Sequence, residues 1–480
     1  MAGSSNLIKV PNFNGVPKLE ELVLEGCSEL RTLDPSIGKL KNLRLLNLKK
    51  CQELTSLPNK FEWKSLVTLN LTGCSKVKKI PEFVENMRHL QELLLEGTAI
   101  TELPSSVKCL TGLTSLDLTD CKKFELLPST ICSLKSLDKI MLLGCSKFYI
   151  LPKDLGNITS LKNLDFSGTA IKELPSSIEF LSGLEALALK DCKKFVVLPS
   201  TVCSLKSLKA MYLSRCPKFV NMPENLGNLK HLNSLCFEGT AIEVLPSSVG
   251  NLAALVDLNL KDCKNLVGLP SSICNLKRVR DLNLAGCSKI TNLPENLGNM
   301  ESLYVFSLGG TAIKELPSST IHLKPDMFGL SFKGCQLSSS SLISMPGGIY
   351  IDLSDCNLSA IPSGIYRNLR ETYLYVSGND FVSLPESSLS QFSYLRHLYL
   401  DGCKSLRSLS NVQIPSGVSF ICVDNCTSLE GLPEAPEPLY DDVRNHLIVQ
   451  CFNCFKLAEN FENVCNMFQV SLSLISVCVF

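Results

Sequence analysis

Apolar and polar residues follow a fixed order along this chain. In Leu43–Pro58, "LRLLNLKKCQELTSLP", and in Leu113–Pro128, "LTSLDLTDCKKFELLP", the order is L-x-x-L-x-L-x-x-C-x-x-φ-x-x-L-P, where φ is apolar. Leu46 and Leu48 alternate with Leu45, Asn47 and Lys49, the period-two pattern of a strand that buries one face. The pattern predicts Leu46 and Leu48 inward and residues 45, 47 and 49 outward. The stretch after Leu-Pro, such as Ser271–Val279, predicts a turn and a short helix on the opposite side.

The frame recurs with its cysteine at Cys27, Cys51, Cys74, Cys121, Cys145, Cys192, Cys216, Cys263, Cys287, Cys335, Cys356, Cys403 and Cys426. Thr98, Thr169, Thr240, Thr311 and Asn379 fill the same slot elsewhere, which makes 18 repeats, mostly 23 or 24 residues apart. That is the leucine-rich-repeat period. It predicts an α/β solenoid: a leucine-rich-repeat horseshoe with a parallel concave β-sheet, about 80 Å long for strands about 4.8 Å apart, plus an incomplete C-terminal segment. A single repeat cannot fold alone, so stability is shared between neighbours.

A longer period lies over the short one. "GTAIKELPSS" occurs at Gly168–Ser177 and Gly310–Ser319, with near copies at Gly97–Ser106 and Gly239–Ser248, so the four slot threonines are 71 residues apart. Repeats with threonine are one residue shorter, and two long units plus one short unit make the 71. The decapeptide is a structural tile of a block copied in tandem. The expected organisation is a lead-in over 1–17, a repeat domain over 18–433 and a post-repeat segment over 434–480. Within the repeats, tandem blocks cover roughly 51–317 and irregular repeats 318–433.

The slot follows the strand, where the backbone turns and its carbonyls lose ladder partners. A small residue that donates a hydrogen bond suits that place, and cysteine, threonine and asparagine all do so. Adjacent side chains on a parallel ladder run alongside one another, which does not suit disulfide geometry at every rung. The opening "MAGSSNLIKVPNF" lacks the apolar core of a secretory signal, and no apolar run approaches the ~18 residues of a membrane span. The 23 cysteines therefore read as reduced thiols without disulfides, in a cytoplasmic and in some settings nuclear protein that is not secreted and has no membrane partner. The sequons at Asn70, Asn157, Asn357 and Asn425 read as chance.

Charge adds little. Lys and Arg total 47 against 46 Asp and Glu, so nothing draws the chain to nucleic acid. Standard phosphate-loop, dinucleotide, zinc-protease and nucleophile-elbow motifs are missing, and the five histidines are scattered. Cys451 and Cys454 form C-x-x-C near Cys465, without the further ligands of a four-coordinate zinc site. The expectation is a binding scaffold that is not an enzyme, with no cofactor and no metal. Lys76, Lys123, Lys147, Lys194, Lys218 and Lys289 each follow a slot cysteine by two residues. They read as a solvated flank, the alternative being a docking surface for an acidic partner or for another domain of a longer protein.

Outward strand positions lie six, four and two residues before each slot. In the tandem blocks they are small or polar, as at Asp117, Thr119, Asn163, Asp165, Asp257 and Asn259. After Thr311 they become Tyr350, Tyr373, Tyr375, His397, Tyr399 and Phe420, a candidate protein-binding strip on the concave face. The alternative reading is aromatic packing along the sheet surface, or contact with a C-terminal cap.

Taken together, "NLIKVPNFNGVPKLEELVLEGCSEL", the cysteine-slot frame, the "GTAI" tiles and "CFNCFKLAEN" (Cys451–Asn460) resemble the leucine-rich region of plant intracellular immune receptors of the TIR-NB-LRR class. The resemblance spans roughly residues 6–460, and "CFNCFKLAEN" is similar to the opening of the jelly-roll/Ig-like domain that follows the repeats in that class. It implies a protein-recognition domain of the innate immune response, whose partner is a pathogen effector, a guarded host protein or a full-length receptor. The chain carries neither a TIR nor a nucleotide-binding domain, so the expectation is a truncated receptor that acts only by binding. The alternative is a cytosolic repeat adaptor unrelated to immunity. The tail "VSLSLISVCVF" alternates like a strand but shows no partner in the sequence.

Overall fold

The computed structural model describes residues 1–480 except 60, 84–86, 324–326, 339–347, 362–371, 391, 434–446, 460–474 and 479–480. The chain divides into two compact units, one of Met1–Ile242 with Asn251–Leu255, the other of Glu243–Gly250 with Val256–Phe480.

Unit 1 contains ten described three-residue strands: β1 (Glu21–Val23), β2 (Leu45–Asn47), β3 (Thr68–Asn70), β4 (Glu92–Leu94), β5 (Ser115–Asp117), β6 (Lys139–Met141), β7 (Asn163–Asp165), β8 (Ala186–Ala188), β9 (Ala210–Tyr212) and β10 (Ser234–Cys236). Consecutive strands pair in parallel, and the register aligns their middle residues. Leu46 thus sits opposite Leu22 on one side and Leu69 on the other. The row continues to Met211 and Leu235 and stays buried throughout. Sequence alternation becomes a two-sided sheet in this way: one apolar row faces in, while Leu45, Asn47 and their neighbours are half-exposed. After most Leu-Pro pairs the chain coils into a 3₁₀ turn, and where the turn follows directly the proline is extended, as before Ser129–Ser133 and Ser200–Ser204. These short turns stand where the sequence predicts a helix.

Between the sheet and the 3₁₀ turns lie stacked phenylalanines. Phe124, Phe148 and Phe166 form one file, with ring centroids 5.9 and 6.5 Å apart, and Phe195, Phe219 and Phe237 form its copy 71 residues on, at 5.9 and 5.9 Å. In the third block the same places hold buried Leu266, Ile290 and Leu308. Trp63 is buried against Phe61, 4.4 Å between ring centroids, and its indole N–H donates to Ile37 O at 2.8 Å. The first residues complete a coil of the same kind. Gly3 N donates to Glu25 O, as Gly26 N does to Lys49 O, and Lys9 bridges to Thr32.

Unit 2 repeats the plan with β11 (Asp257–Asn259), β12 (Asp281–Asn283), β13 (Val305–Ser307), β14 (Met327–Ser331), β15 (Gly348–Asp352), β16 (Thr372–Tyr375), β17 (Leu395–Tyr399), β18 (Phe420–Cys422), β19 (Leu447–Gln450) and β20 (Ile475–Cys478). The parallel ladder runs past residue 433, where the sequence frame stops. β19 pairs with β18, placing Ile448 beside Phe420, and β20 pairs with β19. The tail read as a strand without a partner therefore has one. "CFNC" closes a further coil: Cys454 Sγ donates to Val423 O at 3.0 Å, the contact made by the slot cysteines upstream.

The slot cysteines and Asn379 fasten one coil to the coil before it, while the slot threonines brace the turn of their own coil. The residue before each slot turns the chain with positive φ. It is most often glycine, as at Gly97 (φ 69°) and Gly168 (φ 72°), and otherwise residues such as Asp120 (φ 54°) and Asn425 (φ 60°). The slot thiol then donates to a carbonyl of the preceding coil: Cys74 to Leu48 at 3.0 Å, Cys145 to Leu118 at 3.0 Å, Cys287 to Leu260 at 3.0 Å. Cys51, Cys121, Cys192 and Cys216 do the same at 3.0–3.2 Å. The shorter threonine side chain reaches back within its own coil, Thr169 to Phe166 O at 2.6 Å, Thr240 to Phe237 O at 2.7 Å and Thr311 to Leu308 O at 2.8 Å. Thr98 lies 3.3 Å from the Cys121 sulfur. Asn379 does both tasks, donating to Leu353 O and Val376 O while accepting from Leu358 N.

Burial pushes several of the slot thiols up from an ordinary 9.0, to about 11 at Cys51, Cys121 and Cys403 and to about 12 at Cys74 and Cys356. A raised folded value means that the contribution to stability is complete below 9 and is lost as pH rises through 11–12. The loss is at most about 1.4 kcal/mol per pH unit for each thiol engaged. We therefore expect the denaturation midpoint of the reduced protein to fall steadily once pH passes about 9. A midpoint that stays level well above pH 9 would show the slot thiols ionising as freely in the folded chain as in the unfolded one.

Candidate protein-binding face

The six aromatic positions singled out in the sequence lie on one face of unit 2 and touch in series. Cross-strand register sets Tyr350 beside Tyr373, Tyr373 beside His397 and His397 beside Phe420, and one step along sets Tyr375 beside Tyr399. Tyr350 and Tyr373 stack at 4.6 Å and Tyr375 and Tyr399 at 4.3 Å, while His397 tilts against Tyr373 at 4.6 Å and Phe420 at 5.5 Å. Behind them Ile351, Leu374, Leu398 and Ile421 are fully buried. The rings are half-exposed, held face to face or at a tilt by one another and from beneath by the sheet. The His397 Nδ1 and the Tyr399 hydroxyl lie 3.4 Å apart.

The strip is longer than the sequence indicates. Tyr304 and Phe328 stack at 5.4 Å, and Phe328 meets Tyr350 at 4.8 Å; both rings are over 40% exposed, at 45% and 41%. Each sits seven residues before its slot instead of six, so a register-based search passes them over. Gly329 holds the outward place on β14 and offers no side chain, and the neighbouring Phe328 ring continues the file. Glycine at that place was the available signal. At the far end Ile448 adds an exposed apolar side chain beside Phe420. The face is thus one apolar file across β13–β19, edged by polar tips, the composition of a protein-contact surface.

The other candidates fall elsewhere. Three of the ridge lysines are tied to the preceding coil: Lys76 to Glu53 at 2.6 Å, Lys147 to Glu125 at 3.9 Å, and Lys289 to Asn265 Oδ1 at 3.0 Å. Lys123, Lys194 and Lys218 are exposed. Exposed pairs of this sort contribute little to stability. Cys451 is buried and Cys454 serves as a slot thiol, while Cys465 lies outside the described residues. Among the described residues no group of three His, Cys, Asp or Glu side chains is placed to hold a metal ion, and no helix is long and apolar enough to cross a membrane.

Coils of this period, joined by parallel strands and slot donors, define a leucine-rich-repeat protein. Residues 61–167 match the family described as a leucine-rich repeat region, and residues 204–293 match the leucine-rich repeats of RPS4B-like disease resistance proteins. A probable disease resistance protein of Arabidopsis thaliana is 32% identical over 391 residues, 81% of this chain and 20% of the relative. The TMV resistance protein N of Nicotiana glutinosa is 36% identical over 275 residues, 56% of this chain and 24% of that protein. A Leptospira interrogans leucine-rich-repeat protein shares the fold, with a TM-score of 0.60 at 24% identity over 82% of this chain and 94% of its own. The chain matches the leucine-rich-repeat region of plant disease resistance proteins, as the sequence resemblance indicates. It spans at most about a quarter of the length of these plant relatives.

Proposed function

We propose that the chain is a non-catalytic protein-recognition domain of the plant innate immune response. It works in the reducing cytoplasm or nucleus by engaging a pathogen effector, a guarded host protein or a full-length receptor. The similarity to disease resistance proteins supports the immune setting. The use of slot thiols as hydrogen-bond donors suits a reducing compartment, since a sulfur held in a disulfide has no proton to give. The single observation that carries recognition is the half-exposed aromatic file from Tyr304 to Phe420, backed by a buried apolar row. Large rigid rings with polar tips give much contact area at small entropic cost.

The test is the triple substitution Tyr373→Ala, Tyr375→Ala and Tyr399→Ala. All three side chains lie on the solvent side of the sheet, so the variant keeps its unfolding midpoint within a few degrees and loses partner binding by two orders of magnitude or more, about 2.8 kcal/mol over the three rings. Undiminished binding by the folded variant would remove the aromatic file from the recognition surface.

A further inference from the structure

At the C-terminal ends of β15, β16 and β17 the aromatic file opens into a groove of about 730 Å³, lined among others by Tyr375, Tyr399, Asp352, Asp355, Asp380 and Asp401. Its construction follows from the register. Asp352, Tyr375 and Tyr399 stand in one cross-strand row. Asp401 comes two residues beyond Tyr399 and Asp355 three beyond Asp352, while Gly378 and Gly402, the counterparts of Asp355 in the next two coils, add no side chains there. That row turns with positive φ, 64° at Gly378 and 71° at Gly402, and a Cβ on Gly378 would collide with the Asp355 carboxylate. The groove thus has an aromatic floor and carboxylate walls.

The charge is one-sided. Four aspartates face two lysines, Lys333 and Lys404, a local balance of −2 in a chain whose net charge is +1. Lys333 already lies 3.6 Å from Asp355. Asp352 accepts from Ser331 Oγ at 3.1 Å and from Ser354 N at 3.0 Å, and Asp401 accepts from Ser377 Oγ at 2.5 Å. Each carboxylate has about four lone-pair sites, so these bonds orient the groups and leave acceptor capacity toward the groove. Burial, with the neighbouring Tyr399 second, pushes the Tyr375 hydroxyl up to about 12, so it stays a neutral ring.

A compact metal ion finds no convergent ligand set here. A carboxylate or phosphate ligand would be repelled, and a neutral aromatic ligand would leave the negative charge of the groove uncompensated. A planar cation gains from both elements: it packs against the part of the stacked tyrosine pair left open to the groove, and its edge donates to carboxylates. We propose that the groove receives an arginine side chain presented by an extended segment of a partner protein. The proposal rests on the recognition reading above and adds to it the chemistry of the partner.

A random peptide library displayed on phage, panned on the full chain and counter-selected on the Tyr375→Ala, Tyr399→Ala variant, tests it. Recovered peptides are expected to share an arginine. Changing that arginine to glutamine in the synthetic peptide is expected to weaken binding about tenfold or more, with lysine intermediate and with affinity falling as salt rises. The D380N/D401N variant should show the same loss. The peptide substitution gives the answer even where a protein variant fails to fold. Tyrosine-dependent peptides that tolerate glutamine would overturn the arginine proposal and leave the recognition face standing. The absence of any tyrosine-dependent peptide would overturn both.

Discussion

Phe219→Ala is expected to destabilise unit 1 by about 3–5 kcal/mol, the cost of removing a fully buried ring whose place the surroundings cannot fill. Phe219 is fully buried, with Phe195 on one side and Phe237 on the other, both 5.9 Å away. In a stacked array each ring serves two interfaces, so the loss spreads to both neighbouring coils. Phe219→Leu should cost less than about 1.5 kcal/mol. The chain already contains the aliphatic version of this file, since Leu266, Ile290 and Leu308 occupy the same places in the third block. Chemical denaturation followed by circular dichroism measures the difference, and amide exchange in β9 and β10 locates it. Alanine and leucine variants of equal stability would show that the rings are not packed as described.

The second large effect is at Asn379. It is 1% exposed and makes three short hydrogen bonds, donating to Leu353 O at 2.9 Å and Val376 O at 2.8 Å and accepting from Leu358 N at 2.9 Å. Asn379→Ala removes all three and strands the buried Leu358 amide, at about 1–3 kcal/mol for each buried group left without a partner. We expect a total near 3 kcal/mol and faster exchange of the Leu358 amide. Asn379→Cys installs the residue most other coils use and restores one donor to the preceding coil, so it should recover part of the loss. An alanine variant as stable as the parent would contradict the fastening role of the slot.

The repeat is legible in the sequence because every coil performs the same task. Leu46 must face in, Asn47 must face out, and a donor must stand at the turn, so the pattern recurs until its period is visible. What each donor reaches was not legible. Cysteine and threonine share the slot, yet Cys192 bonds the preceding coil and Thr169 bonds its own, a difference of side-chain length and rotamer. The phenylalanine files were hidden too, since Phe148 and Phe166 belong to different positions of the frame and meet only when coils stack. Tyr304 and Phe328 escaped the outward register by one residue. β19 and β20 pair across a long intervening stretch, where local pattern gives no partner.

Mass-resolved thiol labelling of the reduced protein tests the central claim, that slot residues lock stacked coils from within. Among the cysteines of described burial, brief alkylation of the native chain near neutral pH should mark the half-exposed Cys109 and Cys236 first and leave Cys51, Cys74, Cys145 and Cys216 unmodified until denaturant is added. Alkylation of those four at the pace of Cys109 in the native protein would contradict it.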